Sequence, residues 1–297
     1  MSMRAATPDD LDAVLELLRA DEEHLIGRRS RIGRSDLLQW LSRVDLDADS
    51  WLLEEDGRLV ACGWVQIDGD LGWAIGAVHP EAKGRGIGRR LVERSEQRLR
   101  ERGATRVHQV AFAGDTRAPV LFTGHGYREV RRFYEMAIEL EGPPPAPVLQ
   151  DGLTIEPFEE ASLPEFYGAL DESFRDHWEH HSTPLEEWWK EKRNAPDFDP
   201  TLWFLIRDGA EVAAVVRNEP NRREGGMVAA IGVRRPWRGR GLGRALLLHT
   251  FAEFQRRGVN RITLGVDTQN PTGATKLYES VGMRVELEDA VFEKALA

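Results

Sequence analysis

Two short phrases of alternating glycine carry the residue types and spacing that could do chemistry in this chain. Lys83-Gly84-Arg85-Gly86-Ile87-Gly88-Arg89-Arg90-Leu91 and Arg238-Gly239-Arg240-Gly241-Leu242-Gly243-Arg244-Ala245-Leu246 each stand between a short apolar run and a segment of helical patterning. Glycine removes the Cβ atoms that would hold a ligand away from the backbone. A helix starting there supplies unpaired N–H groups and about half a positive charge, which together make an anion site. A phosphate-bearing cofactor is the expected ligand. Arg234, Arg235, Arg238, Arg240 and Arg244 gather around the second phrase, and Lys83, Arg85, Arg89 and Arg90 around the first. The helix macrodipole disfavours cations at a helix start unless an anion arrives, which favours binding over a merely solvated face. No Lys-Ser/Thr pair follows the glycines, which excludes a P-loop. The spacing Gly-x-Gly-x-Gly is also not the dinucleotide fingerprint Gly-x-Gly-x-x-Gly.

The elements that must position these loops occur twice. Met3-Arg4-Ala5-Ala6 leads into Thr7-Pro8-Asp9-Asp10-Leu11, as Thr154-Ile155-Glu156-Pro157-Phe158 leads into Glu159-Glu160-Ala161-Ser162-Leu163. Each reads as a short strand, an acidic helix start, then apolar residues at helical spacing (Leu11, Val14, Leu15, Leu18; Leu163, Phe166, Leu170). Trp51-Leu52-Leu53 and Trp203-Phe204-Leu205 open matching strands, and Asp56-Gly57 and Asp208-Gly209 supply hairpin turns after them. Return strands are expected over 58–66 and 210–216, and further strands ending at Val78 and Val233. Helices over 86–102 and 241–257 then run to capping glycines Gly103 and Gly258, before strands over 106–112 and 261–266. Glu141-Gly142-Pro143-Pro144-Pro145-Ala146-Pro147 fits neither a helix nor a central strand and reads as a semi-rigid linker. The expected organisation is a duplication, with a first domain over 1–141, a proline-rich linker over 142–151 and a second domain over 152–297.

With 297 residues, 41% of them hydrophobic, the chain can bury one large core or two ordinary ones. No run of about 18 apolar residues is present, so no membrane partner is expected. Met1-Ser2-Met3-Arg4-Ala5 lacks the apolar core of a secretory signal, and a lone Cys62 excludes an intrachain disulfide and a cysteine zinc cage. A cytoplasmic location is the expectation. The net charge of -10 argues against nucleic-acid binding, which needs a basic surface.

In this order of elements and loops the chain resembles the GNAT superfamily of acetyl-coenzyme A-dependent N-acetyltransferases. The family segment Gln/Arg-x-x-Gly-x-Gly/Ala is matched by Arg238-x-x-Gly241-x-Gly243 and, with lysine first, by Lys83-x-x-Gly86-x-Gly88. A second family segment is matched by Asn270, Ala274, Leu277-Tyr278 and Gly282-Met283. The two-domain layout is similar to that of mycothiol synthase and related actinobacterial tandem proteins, in which the C-terminal half does the chemistry. The resemblance implies an α/β fold of two tandem acyltransferase domains, each a central mixed β-sheet flanked by helices. It implies acetyl-coenzyme A as cofactor, with its pyrophosphate on the backbone of Arg238, Gly239, Arg240, Gly241, Leu242, Gly243 and Arg244. Val233 would lie beside the bound cofactor, and Asn270 on its amide arm. The strand ending at Val233 and the next would splay apart, and Gly232 is the expected place for a bulge there.

Tyr278 is then the expected general acid. A phenol of pKa about 10 stays protonated at neutral pH and can serve a leaving thiolate, whose pKa is about 8.5 if it resembles cysteine. Ala274, Leu277, Tyr278 and Val281 share helical spacing, so a core tyrosine is the competing reading. The general base is not readable, because Met227-Val228-Ala229-Ala230-Ile231 has no carboxylate where many relatives carry a glutamate. Asp267, Glu219, Glu224 and the cluster Asp176-His177-Trp178-Glu179-His180-His181 are candidates. Asp176, His177, Trp178 and Asp267 are expected to face substrate, and Trp188 and Trp189 could help hold a cationic amine. Adjacent His180 and His181 would need an irregular backbone to converge, so no metal is expected.

In the first half Asp115 stands at the asparagine position and Phe122 at the tyrosine position. Phenylalanine has no proton to give, so this half is expected to be non-catalytic. Its Lys83, Gly84, Arg85, Gly86 and Gly88 would either bind coenzyme A or persist as structure, in a monomer whose halves mimic a dimer. The expected activity is acetyl transfer to a primary amine of a small molecule. A non-catalytic acyl-coenzyme A sensor and a peptide N-acetyltransferase are the alternatives.

Overall fold

The computed structural model describes residues 2–296. The first repeat runs β1 (Ser2–Arg4), α1 (Leu11–Ile26), α2 (Arg34–Leu41), α3 (Leu46–Asp49), β2 (Ser50–Glu55), β3 (Arg58–Asp68), β4 (Leu71–Val78), α4 (Ile87–Glu101), β5 (Arg106–Phe112), α5 (Ala118–Gly124) and β6 (Arg128–Glu139). The second runs β7 (Leu153–Pro157), α6 (Leu163–Phe174), α7 (Leu185–Arg193), β8 (Phe204–Asp208), β9 (Glu211–Arg222), β10 (Gly225–Val233), α8 (Leu242–Arg256), β11 (Arg261–Asp267), α9 (Ala274–Ser280) and β12 (Arg284–Ala295).

Local chemistry sets these limits. Asp56 and Gly57 both take positive φ (51° and 76°), the type I′ geometry that joins β2 to β3. In the matching turn only Gly209 does so (φ 59°), and Asp208 pairs with Glu211. The central pair there is Gly209-Ala210 rather than Asp208-Gly209, because glycine alone supplies the left-handed residue a type II′ turn needs. Gly103 and Gly258 (φ 83° and 80°) follow α4 and α8, and the N–H groups of Ala104 and Val259 close the last turns on Leu99 and Phe254 at 2.9 Å.

The chain forms two compact units whose limits differ from those of the repeats: Met1–Phe133 with Leu287–Ala297, and Tyr134–Glu286. The proline-rich stretch marks where the repeats meet in sequence, but β6 begins in the first unit and ends in the second, and β12 does the reverse. Strand order is β1-β2-β3-β4-β5-β12 in the first unit and β6-β11-β10-β9-β8-β7 in the second. β12 pairs antiparallel with β5 from Asp289↔Phe112 to Ala295↔Arg106. The end of β6 is tied to β11 by the Leu140 N–H on the Asn260 carbonyl at 2.8 Å and by Arg261 on Glu139 at 3.0 Å.

Alternation along the strands gives each sheet two apolar faces. In the first unit Trp51, Leu53, Ile87, Leu91, Leu99 and Val107 share one buried cluster, while Val14, Leu18, Leu37, Leu52 and Trp64 share another. The second unit buries Phe166, Trp203, Val215, Leu246, Phe251 and Phe254 in one cluster. Each unit holds one parallel pair that opens before its strands end. The β4·β5 ladder stops at Ala74↔Gln109 and the β10·β11 ladder at Met227↔Thr263.

Candidate active site

In the second unit β10 ends at Val233, a 3-10 turn covers Arg235–Trp237, and the glycine loop opens α8. Gly239 and Gly241 take φ of 76° and 80°, while a Cβ at either would meet nothing within 4 Å. Their requirement is therefore conformational rather than steric. Gly243 has a different role: a Cβ there would come within 2.9 Å of Leu277, so its absence lets α9 lie against α8. The first helical bond, from the Ala245 N–H to the Gly241 carbonyl at 3.0 Å, leaves the N–H groups of Leu242, Gly243 and Arg244 outside the ladder. This cradle fits a diphosphate. The first repeat reproduces it, with φ of 79° and 81° at Gly84 and Gly86 and with Gly88 against Leu121.

Most of the basic residues around the loops are committed to carboxylates of the chain. Arg234 meets Glu172 at 2.7 Å and Glu211 at 2.9 Å, Arg235 meets Asp176 at 2.6 Å, and Arg240 lies 3.6 Å from Asp208. Arg238 donates to the Val233 and Ser173 carbonyls and lies 3.9 Å from Asp176. In the first repeat Lys83 is held by Asp21 at 2.6 Å, Arg85 by Glu55 and Arg89 by Glu93. These cations pin the loops, and the backbone N–H groups are left to receive an anion.

β9 and β10 pair regularly from Ala230↔Arg217 to Val233↔Ala214, and the register slips between Val228 and Ala230. Ala229 is thus the bulged residue, not Gly232. Gly232 pairs normally with Val215, and its missing side chain makes room for Ser173, which a Cβ would approach to 2.6 Å. β3 and β4 pair from Ala61↔Val78 to Asp68↔Leu71 with no slip.

Tyr278 on α9 is buried, and that burial alone pushes its hydroxyl up to about 12. It is both a core residue and a group that keeps its proton across the neutral range. Phe122 fills the same place on α5, 5.7 Å from the Tyr127 ring and 5.4 Å from Phe292. Asn270 caps a turn, its Oδ1 accepting from the Thr272 N–H at 2.8 Å and hydroxyl at 2.6 Å. Asp115 does the same for Arg117 and Ala118.

The stretch after α6 is brought to the loop. Asp176 is spent on Arg235 and Arg238. His177 is half-buried with its ring 4.3 Å from Phe174, and burial pulls its pKa below the usual imidazole value while Asp267 pushes it back. Half-buried Trp178 follows, and Asp267, at the end of β11, accepts from the Gln269 N–H. His180 faces Asp171 at 3.2 Å and His181 faces Glu179 at 3.9 Å, so the two rings turn to different carboxylates. Burial raises the Glu219 carboxyl, but Arg217 and Arg222, each at 2.6 Å, outweigh it and hold it below the carboxylate norm. Glu224 sits in a left-handed turn at the β9–β10 hairpin. Trp188 and Trp189 pack on buried Trp203 at 6.0 and 6.1 Å, as part of the core rather than an open cage. Glu172 and Ser173, which fasten α6 to the loop, carried no signal except Gly232, a strand glycine that demands a close neighbour.

Residues 11–127 and 163–283 each match the acetyltransferase (GNAT) family. A mycothiol acetyltransferase of Thermobispora bispora is 34% identical over 296 residues, covering 97% of each chain. One from Thermomonospora curvata is 32% identical over 254 residues, 82% of each. A GCN5-related N-acetyltransferase from Sphaerobacter thermophilus superposes with a TM-score of 0.88 at 30% identity, over 99% of this chain and 95% of that one. A tandem GNAT protein from the clavulanic acid biosynthesis pathway shares the fold, with a TM-score of 0.76 at 16% identity over 100% and 98%.

Proposed function

The chain belongs to the GNAT acetyltransferase family and is an N-acetyltransferase, and we propose that its second repeat moves the acetyl group of acetyl-coenzyme A to a primary amine of a small molecule, with Tyr278 as general acid. The observation that carries this reading is the Ala229 bulge beside the opened β10·β11 pair, present in this repeat and absent from the other. A bulge bends its strand and increases the local twist, and because the β10·β11 ladder gives out after Met227 the N–H groups on that edge of β10 are placed to meet a ligand in the opening. One such donor aimed at a developing oxyanion contributes about 3 kcal/mol.

Bound acetyl-coenzyme A supplies the activated acyl group, as it does generally for this family. The N–H groups of Leu242, Gly243 and Arg244 hold its diphosphate, and Val233 and Asn270 border the arm that enters the split. Tyr278 serves the departing sulfur. A phenol near 12 is a weaker acid than a thiol of about 8.5, so its contribution is a hydrogen bond to the thiolate in a dry site, with the proton following on product release. The relatives named mycothiol acetyltransferases favour a small amine of the mycothiol kind over a peptide as acceptor. The first repeat, with its cradle but neither bulge nor acid, does no chemistry.

Coenzyme A formation from acetyl-coenzyme A, followed by chromatography, tests this with cysteine methyl ester, glucosamine, spermidine and a short peptide. Release is expected with a small amine and not without one. Saturable cofactor binding in calorimetry with no release from any of the four would favour the sensor reading.

A further inference from the structure

The last turn of α6 is fitted to the mouth of the split. A Cβ on Gly232 would lie 2.6 Å from the Ser173 Cβ and 3.7 Å from the Phe174 ring. Phe174 carries His177 against its own ring, and the His177 N–H bonds the Phe174 carbonyl at 2.8 Å. Asp176 on Arg235 and Arg238, and His180 on Asp171, fix the segment on either side of the imidazole. His177 is thereby held at the end of β10, while Asp267 ends β11, the strand that has parted from it. The opposite face of β10 belongs to α8 and α9, since a Cβ on Gly243 would touch both Val233 and Leu277. The helix turn that carries the imidazole and the helix that carries the phenol therefore lie on opposite faces of the sheet.

We propose that His177 is the proton acceptor for the incoming amine and that the negative charge of Asp267 favours its imidazolium form, an inference that rests on the acetyl-transfer reading above. The charged groups facing the ring are Asp267 from β11, Arg238 from the glycine loop, and Asp176 and His180 from its own segment. Burial keeps the ring neutral at pH 7, with a lone pair available. The amine enters as ammonium and gives one proton to His177, which passes it to solvent. The freed nitrogen forms the C–N bond at the acetyl carbon. As the C–S bond breaks, the nitrogen loses a second proton through His177, and the sulfur leaves as a thiolate hydrogen-bonded to Tyr278, taking that proton on product release while the phenolate recovers one from solvent. Nitrogen sheds two protons, sulfur gains one, and one is released per turnover.

The test uses the full chain with acetyl-coenzyme A and each of cysteine methyl ester, glucosamine and spermidine, reading kcat and kcat/KM against pH. His177→Gln is expected to lower kcat at pH 7 about 100-fold, to leave KM for acetyl-coenzyme A within about twofold, and to abolish the acid limb of the profile. Added imidazole should restore part of the rate. Asp267→Asn should move that limb to lower pH, because it removes the carboxylate that raises the ring's pKa, and an NMR titration of His177 should show the same displacement without any acceptor. If the wild type turns over while folded His177→Gln keeps kcat within about twofold and retains the limb, the assignment is overturned and acetyl transfer stands. A rise only in the amine's KM would make His177 a contact residue and also overturn it. Should the wild type release no coenzyme A with any of the three amines, the transfer reading fails and the assignment fails with it.

Discussion

The two glycine loops are nearly superimposable in conformation, with φ of 79° and 81° in one and 76° and 80° in the other, yet their surroundings are unlike. In the second repeat the ladder gives out after Met227↔Thr263, a bulge follows at Ala229, and α9 carries Tyr278. In the first, Trp73 pairs with His108 within the ladder, the two rings edge to face at 4.8 Å, the β3·β4 ladder is unbroken, and Phe122 stands on α5. Where Arg238 donates to the backbone carbonyl of Ser173, Lys83 is instead held by the carboxylate of Asp21. A left-handed turn into a helix is also a stable way to end a strand, so such a cradle can persist on structural grounds alone. A retained glycine motif is thus weaker testimony to catalysis than the groups facing it.

Exchanging the acids should break the contrast most. Tyr278→Phe, which copies Phe122, is expected to lower kcat about 100- to 1000-fold with KM for acetyl-coenzyme A little changed. Phe122→Tyr should restore nothing, since β4 of its repeat has no bulge. Steady-state coenzyme A release reads both, and full activity of Tyr278→Phe would erase the distinction between repeats.

The same pair differs in alkali. Below pH 10 the Tyr278 phenol is protonated folded and unfolded, so its contribution is fully present. Between 10 and 12 the unfolded chain ionises first, and about 2–3 kcal/mol of stability is lost. Urea midpoints of wild type and Tyr278→Phe should therefore draw together, or cross, over that window. A gap independent of pH would mean that the phenol is not buried.

Smaller effects test the packing and the cradle. Gly232→Ala should cost about 1–3 kcal/mol in chemical denaturation by driving a methyl into Ser173, although Ala77 is accepted at the matching place in β4. Gly241→Val forces a branched residue into left-handed backbone at about 1–2 kcal/mol, and should raise KM for acetyl-coenzyme A about tenfold. Gly86→Val should leave turnover within about twofold, and a larger loss would give the first cradle a part in the reaction.

What the sequence disclosed were features decided within a few residues: the glycine loops, Gly103 and Gly258 as caps, and the exchange of Tyr278 for Phe122. What it hid depends on distant partners. The arginines of the second loop looked like a field awaiting an anion because Glu172, Asp176 and Asp208 lie far away along the chain. Gly232 looked like a bulge because a strand glycine signals either a kink or a close neighbour, and only the fold shows that Ser173 is that neighbour. Trp188 and Trp189 suggested an amine cage, but spacing does not show that Trp203 stands beneath them.

The exchange of β6 and β12 has a consequence for how the molecule comes into being. The edge of β5 receives its partner from residues that follow the whole of the second unit. A nascent chain must therefore carry an unfinished sheet while more than half its length is still being made. Closing so long a loop adds little at equilibrium, since its cost grows only with the logarithm of length, but it slows folding and leaves an open edge available to other chains. A cut at the prolines would strand both pieces, so the two repeats cannot be parted there as self-sufficient halves.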